Sequence, residues 1–109
     1  MKLALFDLDH TLIPIDSDHA WGEFATRIGW ADAGEFKRRN DAFYEQYKAG
    51  TLDIHDYIRF TTEPVRRHGA SASAQAHARF MREVIAPAIR PEARALVERH
   101  RGEVCVIIT

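Results

Sequence analysis

The sequence predicts an α/β fold, and three observations support this prediction. An apolar run at 3–6 has no helical periodicity and ends abruptly at two acids, which is typical of a buried strand that leaves a sheet. A second apolar run at 104–108 is rich in β-branched residues and predicts another buried strand. Between these runs, apolar residues recur at helical spacing. Strands separated by helices are typical of α/β proteins with a parallel sheet.

Four amphipathic helices are predicted between the strands, and a fifth leads into the second strand. The predicted helices span about 18–28, 32–50, 53–69, 71–87 and 92–101. Asp32 with Glu35 three residues later resembles a capping box at the start of the second helix. Pro64 is a candidate kink in the third helix, which Gly69 is expected to end. The apolar faces of the first four helices predict a small bundle with an ordinary packed core.

The composition predicts a soluble globular protein, with 46% hydrophobic and 28% charged residues. Because 15 Lys and Arg nearly balance 16 Asp and Glu, we expect no broad attraction for nucleic acid or for a membrane surface. The amino terminus lacks the pattern of a secretory signal, and no apolar stretch is long enough to span a bilayer. Cys105 is the only cysteine, so an internal disulfide is excluded. We therefore expect a cytoplasmic protein in which Cys105 is a small buried residue.

Two carboxylates, Asp7 and Asp9, directly follow the first predicted strand. In a parallel sheet, the carboxyl ends of the strands border the crevice in which ligands bind. Carboxylates this close repel each other unless a cation or a shared proton offsets their charge. The pair therefore indicates a Mg²⁺ site or acid–base chemistry. The alternative is an Asp-rich turn that only ends a strand.

The segment from Asp7 to Thr11 resembles motif I, D-x-D-x-T, of the haloacid dehalogenase superfamily of phosphatases. The resemblance implies a Rossmann-like core and Mg²⁺-dependent hydrolysis of a small-molecule phosphate ester. Asp7 would be the nucleophile that forms an aspartyl-phosphate, and Asp9 would protonate the leaving alcohol and then activate water. For this role we expect a raised pKa at Asp9. Mg²⁺ would bind the Asp7 carboxylate and the Asp9 backbone carbonyl, and the Thr11 hydroxyl would hold the turn.

The end of the second apolar run, 106–109, resembles motif II of the same superfamily. There a Ser or Thr, here Thr109, hydrogen-bonds the phosphoryl group that is transferred. An ordinary strand residue is the alternative for Thr109. The order of elements resembles superfamily members with a cap domain inserted after motif I. We therefore expect residues 1–13 and 88–109 to form part of the Rossmann-like hydrolase core, and residues 14–87 to form a four-helix cap.

Two further superfamily motifs, a lysine and an acidic pair that completes the Mg²⁺ site, have no counterpart in the 109 residues. Two strands and one core helix are also too few for a doubly wound sheet covered on both faces. We expect a chain that is truncated after motif II and has little or no activity alone.

The helical segment resembles the phosphoserine phosphatase branch of the superfamily. In that branch an acid nine residues after the nucleophile binds the substrate amine, and an arginine of the cap binds the substrate carboxylate. Asp16 and Arg59 match these positions. A helix cap at Asp16 and a solvated arginine at Arg59 are the alternatives. Because Asp16 is shorter than the usual glutamate and His10 replaces a serine, histidinol phosphate, which has an amine but no carboxylate, is a rival substrate.

Two other functions remain open at this point. The chain could be a non-catalytic helical interaction module, with idle acids and a large exposed apolar patch. It could also be a phosphotransferase that uses the same two aspartates with an acceptor other than water. The sequence does not indicate an oligomeric state.

Overall fold

The computed structural model describes residues 1–109, the whole sequence. The elements are, in order, β1 (Leu3–Asp7), α1 (Ser17–Arg27), α2 (Ala33–Ala49), α3 (Ile54–Phe80), a π-helical turn (Met81–Ile85), α4 (Ala86–Ala88), α5 (Pro91–Arg99) and β2 (Val104–Ile108). None of the helices combines the length and the apolar character that a membrane crossing requires.

The two strands form a parallel two-stranded sheet. Leu3 is the register partner of Val104, and Asp7 is the register partner of Ile108. Ala4 and Phe6, which lie on the face of β1 opposite to Leu3, are buried. The Phe6 ring contacts the His100 ring edge-on, with 6.0 Å between the ring centroids. Parallel strands need a long crossover connection, and here the connection is helical. The predicted partial α/β core is therefore confirmed.

The chain divides into two compact units. The sheet unit comprises Met1–Trp21 and His77–Thr109 and contains both strands and α5. The helical unit is the continuous segment Gly22–Ala76. The assignment of residues 14–87 to a cap is a statement about function and stays a prediction.

The core of the helical unit is aromatic. Phe60, only 4% exposed, has the rings of Phe36 and Phe43 at centroid distances of 5.0 and 5.2 Å. Trp30 and His68 stack face to face at 3.9 Å. Such ring pairs add to the free energy gained from burying the apolar area itself. Phe36, Phe43 and Phe60 thus pack against one another, as their helical spacing predicts, whereas Tyr44 and Tyr47 of α2 are exposed.

The ends of α2 follow the sequence signals closely. Asp32 is the N-cap, and its Oδ1 accepts a hydrogen bond from the Glu35 backbone N–H at 2.9 Å. Gly50 ends the helix in the left-handed conformation, with φ of 73°. These signals are reliable because both caps depend only on neighbouring residues.

The long helix α3 is interrupted at Gly69, where the sequence predicts that the third helix ends. Pro64 lies inside the helix, and the non-helical residue is Gly69, with φ of 83° and ψ of 173°. Proline removes one helical hydrogen bond but keeps helical φ, whereas this combination of φ and ψ is accessible essentially only to glycine. The chain returns to helix after Gly69 and continues to Phe80, which agrees with a third helix that ends at Gly69 and a fourth helix that follows.

The expectation that Cys105 is buried is wrong. Cys105 is exposed, and so is every other residue of β2. Apolar composition predicts burial only where another layer covers the strand, and all five residues of β2 are left exposed.

Candidate active site

A compact turn follows β1 and carries both acids. Asp7 is the last residue of β1, and the carbonyl of Leu8 then accepts hydrogen bonds of 3.0 to 3.2 Å from the backbone N–H groups of Thr11, Leu12 and Ile13. His10 adopts a positive φ of 57°, which turns the chain back on itself. The turn therefore places the Asp7 and Asp9 carboxylates at the carboxyl end of the sheet.

The Asp7 carboxylate is exposed and is oriented from within the turn. Its Oδ2 accepts a hydrogen bond from the Thr11 hydroxyl at 2.8 Å. A hydrogen bond to one carboxylate oxygen restricts rotation of the side chain and leaves the other oxygen, Oδ1, to face a ligand. The predicted contact of the Thr11 hydroxyl with the turn is therefore present.

The Asp9 carboxylate has a different environment. Its Oδ1 accepts a hydrogen bond from the backbone N–H of Ser17, the first residue of α1, at 2.9 Å. Hydrogen bonds from the Ser17 hydroxyl and then from its backbone N–H hold the pKa of Asp9 below the ordinary value of 3.8, and partial burial opposes them. The expectation of a raised pKa is therefore wrong for this chain alone, because both donors stabilise the ionised carboxylate.

Ser17 is a site residue that the sequence reasoning missed. The only signal for Ser17 in the sequence is its place in Asp16-Ser17-Asp18, three consecutive residues of types that cap helices. Its contact with Asp9 depends on the turn at His10, which brings two residues eight positions apart together.

The other predicted site residues fall in both units. Thr109 follows Ile108, the register partner of Asp7, so it lies at the same end of the sheet. Asp16, also in the sheet unit, accepts a hydrogen bond at Oδ1 from the His19 backbone N–H at 2.9 Å, as a helix cap does. Arg59 belongs to the helical unit, where its exposed guanidinium pairs with Asp56 at 2.8 Å. The ligand-binding roles of these three residues stay predictions.

The oxygen atoms of the acidic turn fit part of a Mg²⁺ site. Asp7 offers an exposed carboxylate and Asp9 offers a backbone carbonyl, and Mg²⁺ prefers oxygen ligands of these kinds. Mg²⁺ usually keeps several waters or takes substrate phosphate oxygens as its other ligands. The chain contains no group of three or more His, Cys, Asp or Glu side chains placed to hold a metal ion.

Comparison with known proteins settles the family. A model of the haloacid dehalogenase-like hydrolases matches residues 4–109. The chain belongs to the haloacid dehalogenase-like hydrolase family. The predicted membership is therefore confirmed.

Two relatives of this haloacid dehalogenase-like chain cover nearly all of it. It is 41% identical over 110 residues to a histidinol-phosphatase of Neisseria meningitidis serogroup C (strain 8013), a match that covers 99% of this chain and 50% of the relative. It also resembles the crystal structure of a protein with unknown function from Bordetella pertussis Tohama I. In that comparison the TM-score is 0.84, the identity is 41%, and the match covers 98% of this chain and 49% of the other. The chain thus spans about half the length of the relatives it matches.

Proposed function

We propose that this chain provides the nucleophile-bearing part of a Mg²⁺-dependent phosphomonoester hydrolase whose substrate is histidinol phosphate or another small amine-bearing phosphate. The observation that carries the proposal is the exposed Asp7 carboxylate at the carboxyl end of β1, with one oxygen held by Thr11. Family membership supports the reaction class, and the histidinol-phosphatase relative favours histidinol phosphate over phosphoserine.

In the first step, Oδ1 of Asp7 attacks phosphorus and the bond from phosphorus to the alcohol oxygen breaks. The electron pair goes to the leaving oxygen, which takes a proton from the Asp9 carboxyl group. The low pKa of Asp9 in the chain alone opposes this role. The negative charge of a phosphate ester disfavours a neighbouring carboxylate, so substrate binding is expected to raise the pKa of Asp9 and let it carry the proton.

In the second step, water attacks the phosphorus of the aspartyl-phosphate. Asp9, now ionised, accepts a proton from this water, and the bond between phosphorus and Asp7 breaks to release inorganic phosphate. The Thr109 hydroxyl would donate a hydrogen bond to a phosphoryl oxygen. Mg²⁺, held by the Asp7 carboxylate and the Asp9 carbonyl, would offset the repulsion between nucleophile and phosphate when bound.

Two residues would distinguish substrates. The Asp16 carboxylate would attract the ammonium group that both candidate substrates carry, and the Arg59 guanidinium would bind a carboxylate that only phosphoserine carries. Asp16 lies nine residues after Asp7 and at the start of α1, in the same unit as the acidic turn. An amine-bearing substrate is therefore the class that the sheet unit favours.

The test uses a chimera in which residues 1–109 replace the matched half of the Neisseria meningitidis relative. We expect Mg²⁺-dependent release of phosphate from histidinol phosphate, and a loss of kcat on the order of 10³ or more in Asp7→Asn. Asp41→Asn, at an exposed ion pair of α2, is the matched control and should keep its rate. Borohydride, which reduces an acyl phosphate, should convert Asp7 to homoserine during turnover. An Asp7→Asn chimera with an unchanged rate would exclude the proposed chemistry.

A further inference from the structure

A cavity of about 480 Å³, which we call the arginine cavity, lies between α2 and α3 within the helical unit. Three arginines line it, Arg39 from α2 and Arg59 and Arg66 from α3. The acids that line it are Asp56 and Glu63. The cavity therefore has more guanidinium groups than carboxylates, and its volume is in the range of small-molecule sites.

The Arg39 side chain is held from two sides. Its guanidinium carbon lies 4.6 Å from the centroid of the buried Phe60 ring, and its Nη1 donates a hydrogen bond to Oε2 of Glu63 at 3.2 Å. The other oxygen of this carboxylate, Oε1, lies 3.8 Å from Nη1 of Arg67. Because two guanidinium groups share the Glu63 carboxylate, it neutralises only part of their charge.

Arg66 brings a positive charge that no acid neutralises. Its Nη2 donates a hydrogen bond of 2.6 Å to the backbone carbonyl of Arg59, seven residues earlier in α3. No carboxylate lies within ion-pair distance of Arg66. A guanidinium group has five N–H donors, so the bond to this carbonyl leaves four for a ligand. The bond also restricts the side chain before a ligand binds, which lowers the entropy cost of binding.

We propose that the arginine cavity binds a small oxyanion with two negative charges, either a phosphate group or a dicarboxylate, through Arg39 and Arg66. Guanidinium groups suit such anions because two parallel N–H groups match the spacing of two oxygens on one phosphate or carboxylate. The bound anion would offset the positive charge that Asp56 and Glu63 leave in the cavity.

This ligand is distinct from the substrate of the proposed reaction. Histidinol phosphate has an amine and no carboxylate, so it gives the arginines of the helical unit no carboxylate to bind. The Arg59 guanidinium, to which we assign the carboxylate of phosphoserine, is paired with Asp56 at 2.8 Å. Arg39 and Arg66 have no part in that assignment. The inference therefore depends on the lining of the cavity and requires neither Asp7 nor a metal ion.

The experiment titrates the whole chain with inorganic phosphate in the absence of Mg²⁺ and follows the arginine Nε–H signals by nuclear magnetic resonance. We expect the Arg39 and Arg66 signals to shift along one saturation curve. Added NaCl should weaken binding, since salt screens exposed charges. In Arg39→Gln and Arg66→Gln the dissociation constant should rise by about fivefold or more. Arg38→Gln, at an exposed arginine of α2 outside the cavity lining, is the matched control and should bind as the parent does.

A second titration with succinate separates the two kinds of anion. Saturable binding of either anion that both variants weaken would support the inference, and the tighter of the two identifies the ligand class. Circular dichroism confirms that the variants are folded.

Three outcomes would overturn the inference. Neither anion shifts the Arg39 and Arg66 signals, or Arg38→Gln weakens binding as much as the cavity variants do, or only Arg59→Gln weakens it. Asp7→Asn should bind phosphate as the parent does, because the cavity lies in the helical unit. A failure of the proposed hydrolysis would therefore leave the result of this titration unchanged.

Discussion

Asp7 and Asp9 are two residues apart, yet their surroundings give them different properties. A side-chain hydroxyl orients Asp7 and leaves it exposed, whereas the first residue of α1 holds Asp9 and keeps it ionised. Nucleophilic attack requires an accessible carboxylate, and Asp7 is exposed. For Asp9 to donate a proton, bound substrate must first raise the pKa of its carboxyl group, as a neighbouring negative charge does.

Ser17→Ala should make the stability of the chain less dependent on pH. The pKa of Asp9 in the folded chain is below its ordinary value of 3.8. The interaction with Ser17 therefore stabilises the fold at pH values above 3.8, and this stabilisation is lost as the pH falls through the folded-state pKa. We expect the variant to lose about 1 kcal/mol of unfolding free energy at neutral pH and much less in acid. Urea unfolding at both pH values measures this. Ser71→Ala, at an exposed serine, is the control and should change the unfolding free energy equally at both pH values. A Ser17→Ala effect of the same size in acid would show that Ser17 does not stabilise the ionised Asp9 carboxylate.

Arg59→Ala tests the choice between substrates in the chimera described above. If Arg59 binds a substrate carboxylate, the variant should raise KM for phosphoserine by about tenfold or more and change KM for histidinol phosphate little. Steady-state kinetics with both substrates measures the difference, and Arg38→Ala, at an exposed arginine of α2, is the control. Equal effects on the two substrates would show that Arg59 does not read the carboxylate.

At the scale of elements, local signals were reliable and longer-range ones were not. The caps at Asp32 and Gly50 were predictable because a cap involves only residues of the adjacent turn. The break at Gly69 was also predictable, because glycine readily adopts the positive φ that ends a helix, whereas the π-helical turn at Met81–Ile85 was not predicted. In the site, Asp7 and Asp9 were readable from one short motif, whereas Ser17 required the folded turn.

Gly69→Ala should destabilise the helical unit through its backbone alone. No atom lies within 4 Å of the position that a Cβ would occupy, so the cost comes from the positive φ. We expect a loss of about 1 to 3 kcal/mol of unfolding free energy. Gly102→Ala is the matched control, since its surroundings are equally open and its φ is not positive. It should be neutral or slightly stabilising, and equal effects of the two substitutions in thermal melts would contradict this account.

At the scale of the whole molecule, family and partial fold were predictable, but burial was not. Apolar runs predicted two buried strands, and the runs do form strands. β2 is nevertheless exposed throughout, because burial depends on layers that a strand's own residues do not specify. The same reason explains the wrong expectation for Cys105.

The continuous helical unit should fold alone. We expect Gly22–Ala76, expressed by itself, to be helical and to unfold cooperatively, because its aromatic core lies wholly within that segment. Phe60→Ala should cost about 3 to 5 kcal/mol and abolish the cooperative melt, whereas Tyr47→Ala, at a residue 68% exposed, should change stability little. Circular dichroism during heating measures both. A segment without a cooperative transition would contradict the prediction.

The pairing of Leu3 with Val104 has a consequence for synthesis on the ribosome. The strand that ends in Asp7 is translated before its partner, so it has no neighbour in this sheet until 104–108 have been made. The helical unit can acquire its structure earlier, since it is one continuous stretch of chain, Gly22–Ala76. The residue that we expect to attack phosphate is therefore made well before the strand that pairs with its own.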